Sequence, residues 1–167
     1  MRNIKLWLGL ATCASLAAIA STPASAATAD DTFDVTIDIE ATCSVTAGSA
    51  ADIDMGSVLS TATDVTGSGT ITVNCSKTTP YSVGLAPSNG DDSGAGTMAP
   101  LTTSGDPVPY QLRQGSTSGS VWGNTEASGV SGTGIGADQD LAVYVSVPSA
   151  NYAPDTYSDE VTVTVNY

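Results

Sequence analysis

Beyond residue 31 this chain sets its apolar side chains at alternate positions, in short runs separated by Gly, Ser, Asn, Asp and Pro, and shows almost no helical spacing. Successive strand side chains point to opposite faces, so runs of Val, Ile, Thr and Tyr with period two describe half-buried strands. Many such runs punctuated by turn residues predict an all-β sandwich. The first run, Thr32 to Glu40, alternates strictly. Phe33, Val35, Ile37 and Ile39 share one face, and Asp34, Thr36, Asp38 and Glu40 share the other.

The same reading carries along the chain. A strand is expected around Cys43 and Val45, then a loop through Met55-Gly56, then a strand from Gly69 to Cys75 with Ile71, Val73 and Cys75 on the core face. Tyr81, Val83 and Leu85 mark another strand, as do Val108, Tyr110 and Leu112, with a short segment at Val121-Trp122. Leu141, Val143, Val145 and Val147 alternate until Pro148, which cannot donate to a ladder and should interrupt pairing. Val161, Val163, Val165 and Tyr167 alternate against Thr162, Thr164 and Asn166 in the last run. Composition predicts loops for Asn89 to Ala99 and for Ser128 to Ala137. No fixed period repeats, which argues against a solenoid or propeller.

Ahead of these runs lies a different segment. Arg2 and Lys5 precede an apolar stretch from Leu6 to Ala20, and Ala24-Ser25-Ala26 has the small-residue pattern of a signal-peptidase site. The stretch is shorter than the ~20 residues a membrane span needs, so export with cleavage is expected, with no span left in the mature chain. Residues 1–26 are read as signal peptide, 27–40 as an N-terminal extension and 41–167 as one β-sandwich domain. Cys13 would leave with the signal, and the retained pair, Cys43 and Cys75, reads as a disulfide rather than two buried free thiols, since oxidising compartments preserve such bonds.

Charge narrows the partners. The formal net charge is -13, and loss of Arg2 and Lys5 takes it to -15, leaving Lys77 and Arg113 as the basic side chains. Nucleic acid and anionic headgroups need clustered Lys or Arg, so neither is an expected partner. Chemistry is narrowed as well. The chain has no His, so Ser-His-Asp and Cys-His arrangements cannot be built. The acids are better read as a solvated, self-repelling surface than as a carboxylate pair of the glycosidase kind. Asp52-x-Asp54, Asp91-Asp92 and Asp138-x-Asp140 lack the spacing of a calcium loop. Gly132-x-Gly134-x-Gly136 precedes a strand rather than opening a helix, so it reads as a flexible loop and not a dinucleotide motif. Asn74-Cys75-Ser76 matches a glycosylation sequon only formally, because a disulfide partner sits at its centre. Trp122 is expected to pack as a strand anchor rather than stand out as a sugar platform. No enzyme activity, cofactor or metal is expected.

One arrangement is unusual for a self-contained sandwich. An amphipathic run stands directly after a small polar leader, Ala27 to Asp31, and the last run lacks a following partner. A sandwich short of one strand leaves a groove that another chain can fill by β-strand addition. Tyr110-Gln111-Leu112-Arg113, Val121-Trp122-Gly123-Asn124 and the stretch Tyr157-Ser158-Asp159-Glu160-Val161-Thr162-Val163-Thr164-Val165-Asn166-Tyr167 resemble the spore coat protein U family. So do Cys43, the Gly-x-Ile-x-Val-x-Cys strand ending at Cys75, and Tyr81-Ser82-Val83-Gly84-Leu85. Members of that family include subunits of archaic chaperone-usher pili.

The resemblance implies an immunoglobulin-like, pilin-type β-sandwich that is incomplete and completed by a donor strand. Phe33, Val35, Ile37 and Ile39 would be the donor residues, and Val161, Val163, Val165 and Tyr167 the edge strand of the acceptor groove. The implied partners are other pilin subunits, a periplasmic chaperone and an outer-membrane usher, with passage through the periplasm to a surface pilus that supports adhesion and biofilm. Two positions depart from the family's pattern: Asp155 replaces a Gly, where its tolerance of left-handed turns would serve, and Arg113 replaces an aromatic. A monomeric binding module for carbohydrate or another surface, and a spore or cyst coat component, are the alternative readings.

Overall fold

The computed structural model describes residues 26–167. The proposed signal peptide lies, but for Ala26, outside the described residues. The chain divides into two units, one running to Ile37 and one from Asp38 to Tyr167. In the described part of the first, residues 26–37, there is no helix or strand.

The second unit is all-β. Its strands are β1 (Cys43–Thr46), β2 (Thr63–Cys75), β3 (Pro80–Pro87), β4 (Ala95–Pro100), β5 (Val108–Gln114), β6 (Val130–Thr133), β7 (Asp138–Ser149), β8 (Tyr157–Ser158) and β9 (Val161–Asn166). One helical turn, α1 (Gly48–Ala51), follows β1. A six-stranded sheet has the order β1-β2-β7-β5-β4-β8, and a three-stranded sheet the order β6-β3-β9. Every named pairing is antiparallel.

The alternation read from the sequence places the core between the sheets. Ile71, Val73 and Cys75 of β2, Val83 and Leu85 of β3, Leu112 of β5 and Val143, Val145 and Val147 of β7 are all buried. Trp122, 1 % exposed, packs among them and donates its indole N–H to the Val83 carbonyl at 2.8 Å, so it is an anchor and not a platform. Cys43 and Cys75 face each other in the β1–β2 register and are joined as a disulfide. The β2–β7 ladder continues to Thr63–Ser149 but leaves out Pro148 and the residue across from it, Asp64, which takes a positive φ of 53°. Pro148 thus interrupts the pairing locally without ending the strand.

Three expectations need correction. Thr32 to Glu40 forms no strand in the described structure, because alternation marks a face suited to burial but a strand also needs a ladder partner. The stretch read as loop from Asn89 to Ala99 contains the start of β4, and that from Ser128 to Ala137 contains β6. Both strands are rich in small residues, and aromatic rings supply the cover that their own side chains lack. The Tyr110 ring lies directly over Gly96 and the Tyr81 ring over Gly132, so a Cβ at either glycine would overlap a ring. Gly132 therefore serves close packing, not flexibility.

Candidate functional site

The two sheets do not close along the whole of their length. Between them lies an open cleft of about 1410 Å³, floored by core side chains that include Ile71, Leu85, Leu112 and Val145. Strand β9 borders this opening. It pairs with β3 along one edge, and no pairing among the described strands uses the other. An unpaired edge beside an apolar floor offers a row of backbone N–H and C=O groups together with pockets for alternate side chains.

The expected groove residues divide along β9. Val161 and Val163 line the cleft. Val165 packs against the core cluster on the same strand. Tyr167 lies one residue past the end of β9, is 63 % exposed, and borders a separate shallow cavity with Ser82 and Asn124. The expected donor residues Phe33, Val35, Ile37 and Ile39 are 82–86 % exposed, and no ladder includes them.

One wall of the cleft was not foreseen. The segment after α1 crosses the inner face of β2, bringing Ile53 and Met55 to the cleft. It can lie so close because the inward-facing positions beneath it are Gly67 and Gly69. A Cβ on Gly67 would overlap Ile53, and one on Gly69 would come 2.6 Å from the Ala51 carbonyl oxygen. Two glycines of the same parity inside a strand were the available clue that another backbone approaches there.

The opposite rim is fixed by two carboxylates. Tyr110 of β5 donates its hydroxyl to Asp159 Oδ2 at 2.6 Å, and Ser88 donates to Asp159 Oδ1. Asp159 lies just before β9, so this contact ties the six-stranded sheet to the start of the edge strand. Burial, and then the hydrogen bond to Asp159, hold the Tyr110 phenol well above its ordinary range. Asp155 accepts hydrogen bonds from the hydroxyls and backbone N–H groups of both Thr102 and Thr103, at 2.7–3.0 Å. A further bond comes from the Thr156 N–H at 2.7 Å. These contacts, with the Thr103 hydroxyl foremost, hold the Asp155 carboxyl well below the usual carboxylate range. Asp155 is not among the residues with positive φ, so its role is that of an acceptor joining two loops and not a left-handed turn.

Other singled-out residues have structural partners. Arg113 donates from Nη1 to the Gly119 carbonyl at 2.9 Å and from Nε to Ser146 at 3.3 Å. Asp138 and Asp140 accept from Asn74 and Thr72 across the β2–β7 ladder, both at 2.8 Å. Asp54 and Asp91 accept from the backbone N–H two residues on, at Gly56 and Ser93. Among the described residues no cluster of His, Cys, Asp or Glu converges as a metal site, and no helix is long and apolar enough to cross a membrane.

Comparison with known proteins gives the family. The chain is 28 % identical to Protein U of Myxococcus xanthus over the full length of both chains. A chain in the crystal structure of the CsuC-CsuE chaperone-tip adhesion subunit pre-assembly complex, from archaic chaperone-usher Csu pili of Acinetobacter baumannii, is 22 % identical with a TM-score of 0.49. That match covers 77 % of this chain and 40 % of the other, so it spans less than half the length of that neighbour. The Spore Coat Protein U domain model matches residues 29–164, nearly the whole of the described chain, and the chain therefore belongs to the spore coat protein U domain family.

Proposed function

We propose that this chain is an exported structural subunit of a surface pilus of the chaperone-usher kind, joined to its neighbours by donor-strand exchange. The observation that carries the reading is a complementary pair of features. One is an apolar cleft bordered by an unpaired strand edge, and the other is a leader bearing four exposed apolar side chains at alternate positions. In the assembled fibre the leader of one copy, residues 27–40, lies along β9 of the next. Its main chain completes the ladder, and Phe33, Val35, Ile37 and Ile39 enter the cleft.

Full burial of four such side chains contributes about 6 to 12 kcal/mol before ordering costs, enough for a long-lived joint. Residues 1–26 direct export and are removed. A periplasmic chaperone occupies the cleft in transit and an outer-membrane usher releases the subunit to the surface, where the fibre serves adhesion and biofilm formation.

Ile37→Asp sets a charge in the middle of the donor face. The mutant should be exported and folded yet give no polymer ladder on detergent gels run without boiling. Ladders like those of the wild type from this mutant would refute the donor role. A chain that stayed monomeric in both forms while binding a glycan array would favour a surface-recognition module instead.

A further inference from the structure

We propose that ionic strength gates the joint between subunits, because the leader and the cleft that receives it carry charge of the same sign. This inference rests on the donor-strand reading above and adds a condition under which the joint forms.

The leader, residues 27–40, holds Asp30, Asp31, Asp34, Asp38 and Glu40 and has no Lys or Arg. Three of these acids, Asp34, Asp38 and Glu40, alternate with the apolar residues. A leader that turns Phe33, Val35, Ile37 and Ile39 into the cleft therefore sets the three along its outer face, within a few ångströms of strand width from the cleft border. The rim has the same character. Asp52, Asp54, Asp155, Asp159 and Glu160 all line the cleft, and no Lys or Arg does. Among the described residues the basic side chains are Lys77 and Arg113. Arg113 is held by Gly119 and Ser146, and Lys77 packs beside Gly136, so neither lies in the cleft wall to offset the acids. Asp155, held well below the usual carboxylate range by Thr103 and Thr102, keeps its charge through the whole neutral range.

Two forces of different reach then act on an approaching leader. Burial of the apolar face is short-ranged and is not screened by dilute salt. Repulsion between the acids reaches about 30 Å at 0.01 M salt and about 8 Å at 0.15 M. In dilute buffer the leader meets the repulsion before it meets the pockets. Charged interfaces with opposite signs associate more slowly as salt rises, and this one should do the reverse.

The experiment follows polymer formation by the mature full chain, by light scattering and unboiled gels, between 10 mM and 300 mM NaCl. The initial rate should rise about tenfold or more over this range. The triple variant Asp34→Asn, Asp38→Asn, Glu40→Gln should assemble faster than the wild type at 10 mM and lose most of the salt dependence. NaCl and NaSCN at equal ionic strength should accelerate the wild type alike. Acceleration by NaCl alone would mean that salt acts by strengthening apolar burial and would overturn the gating. A flat or falling wild-type rate, with Ile37→Asp still unable to assemble, overturns the gating and leaves the joint standing. Assembly of Ile37→Asp at the wild-type rate overturns the joint itself.

Discussion

Replacing Tyr110 by Phe removes a single oxygen from the wall of the cleft and with it the bond that ties β5 to the start of β9. The hydroxyl donates to Asp159 Oδ2 at 2.6 Å, and the side chain that bears it is buried. A hydrogen bond to a charged group contributes about 1.5–3 kcal/mol. Asp159 is half-buried and keeps its bond from Ser88, so water can partly replace the lost donor and the cost should lie near the lower end, about 1.5 kcal/mol. With a urea m value of about 1–3 kcal/mol/M for a domain of this size, the unfolding midpoint of the mature protein should fall by about 0.5–1.5 M. Pairing the change with Asp159→Asn in a double-mutant cycle should give a coupling of about 1 kcal/mol. The phenol also supplies a pH signature. Its pKa is raised in the folded protein, so the stabilisation is complete below pH ~10, where the unfolded phenol titrates, and is lost as pH rises beyond it. The wild type should weaken by up to about 1.4 kcal/mol per pH unit there through this one group, and Tyr110→Phe should be flatter. A midpoint within about 0.2 M of the wild type, or strictly additive single changes, would refute the view that this contact holds the edge strand.

Three further outcomes follow from the same structure. Cys43→Ser should cost about 3–4 kcal/mol by releasing the loop closed between positions 43 and 75, read as a lowered urea midpoint that reductant no longer changes. Trp122→Ala should cost about 3–5 kcal/mol, since it empties a fully buried site and removes the indole's hydrogen bond to the Val83 carbonyl; a loss below about 1 kcal/mol in the same assay would deny the indole its place as core anchor. Asp155 has a depressed pKa, so the stability it lends is present above pH ~4 and fades as acid protonates the folded carboxylate; melting temperatures measured from pH 5 down to pH 2 should fall less steeply in Asp155→Asn than in the wild type.

What could be read from the sequence follows the physics of burial. Strands β2, β3, β5, β7 and β9 each expose one face to the core, and their Val, Ile, Leu and Tyr residues record that face at period two. Strands β4 and β6 escape such a reading because Ala95–Pro100 and Val130–Thr133 contribute so few large apolar side chains, and neighbouring tyrosines cover them. For Thr32 to Glu40 the pattern is the strictest in the chain, yet no strand forms there, because alternation encodes what a face prefers and says nothing of who provides the ladder. At the cleft, parity put Val161 and Val163 on one face and only the family resemblance suggested a groove edge there, whereas the Tyr110–Asp159 contact joins residues 49 apart whose meeting no local pattern announces. Asp155 could be noticed as an odd residue, but its threonine partners could not.

The bare stretch at Gly67 and Gly69 has a consequence for how the opening keeps its dimensions. Nothing docking in the cleft need touch either position, yet a methyl group at Gly69 would push against the Ala51 carbonyl and lever the Ile53–Met55 segment off the sheet. The gap is thus gauged from behind its own wall. Two missing side chains act as the spacer, and inserting a substituent there would widen the aperture while leaving every residue of the floor unchanged.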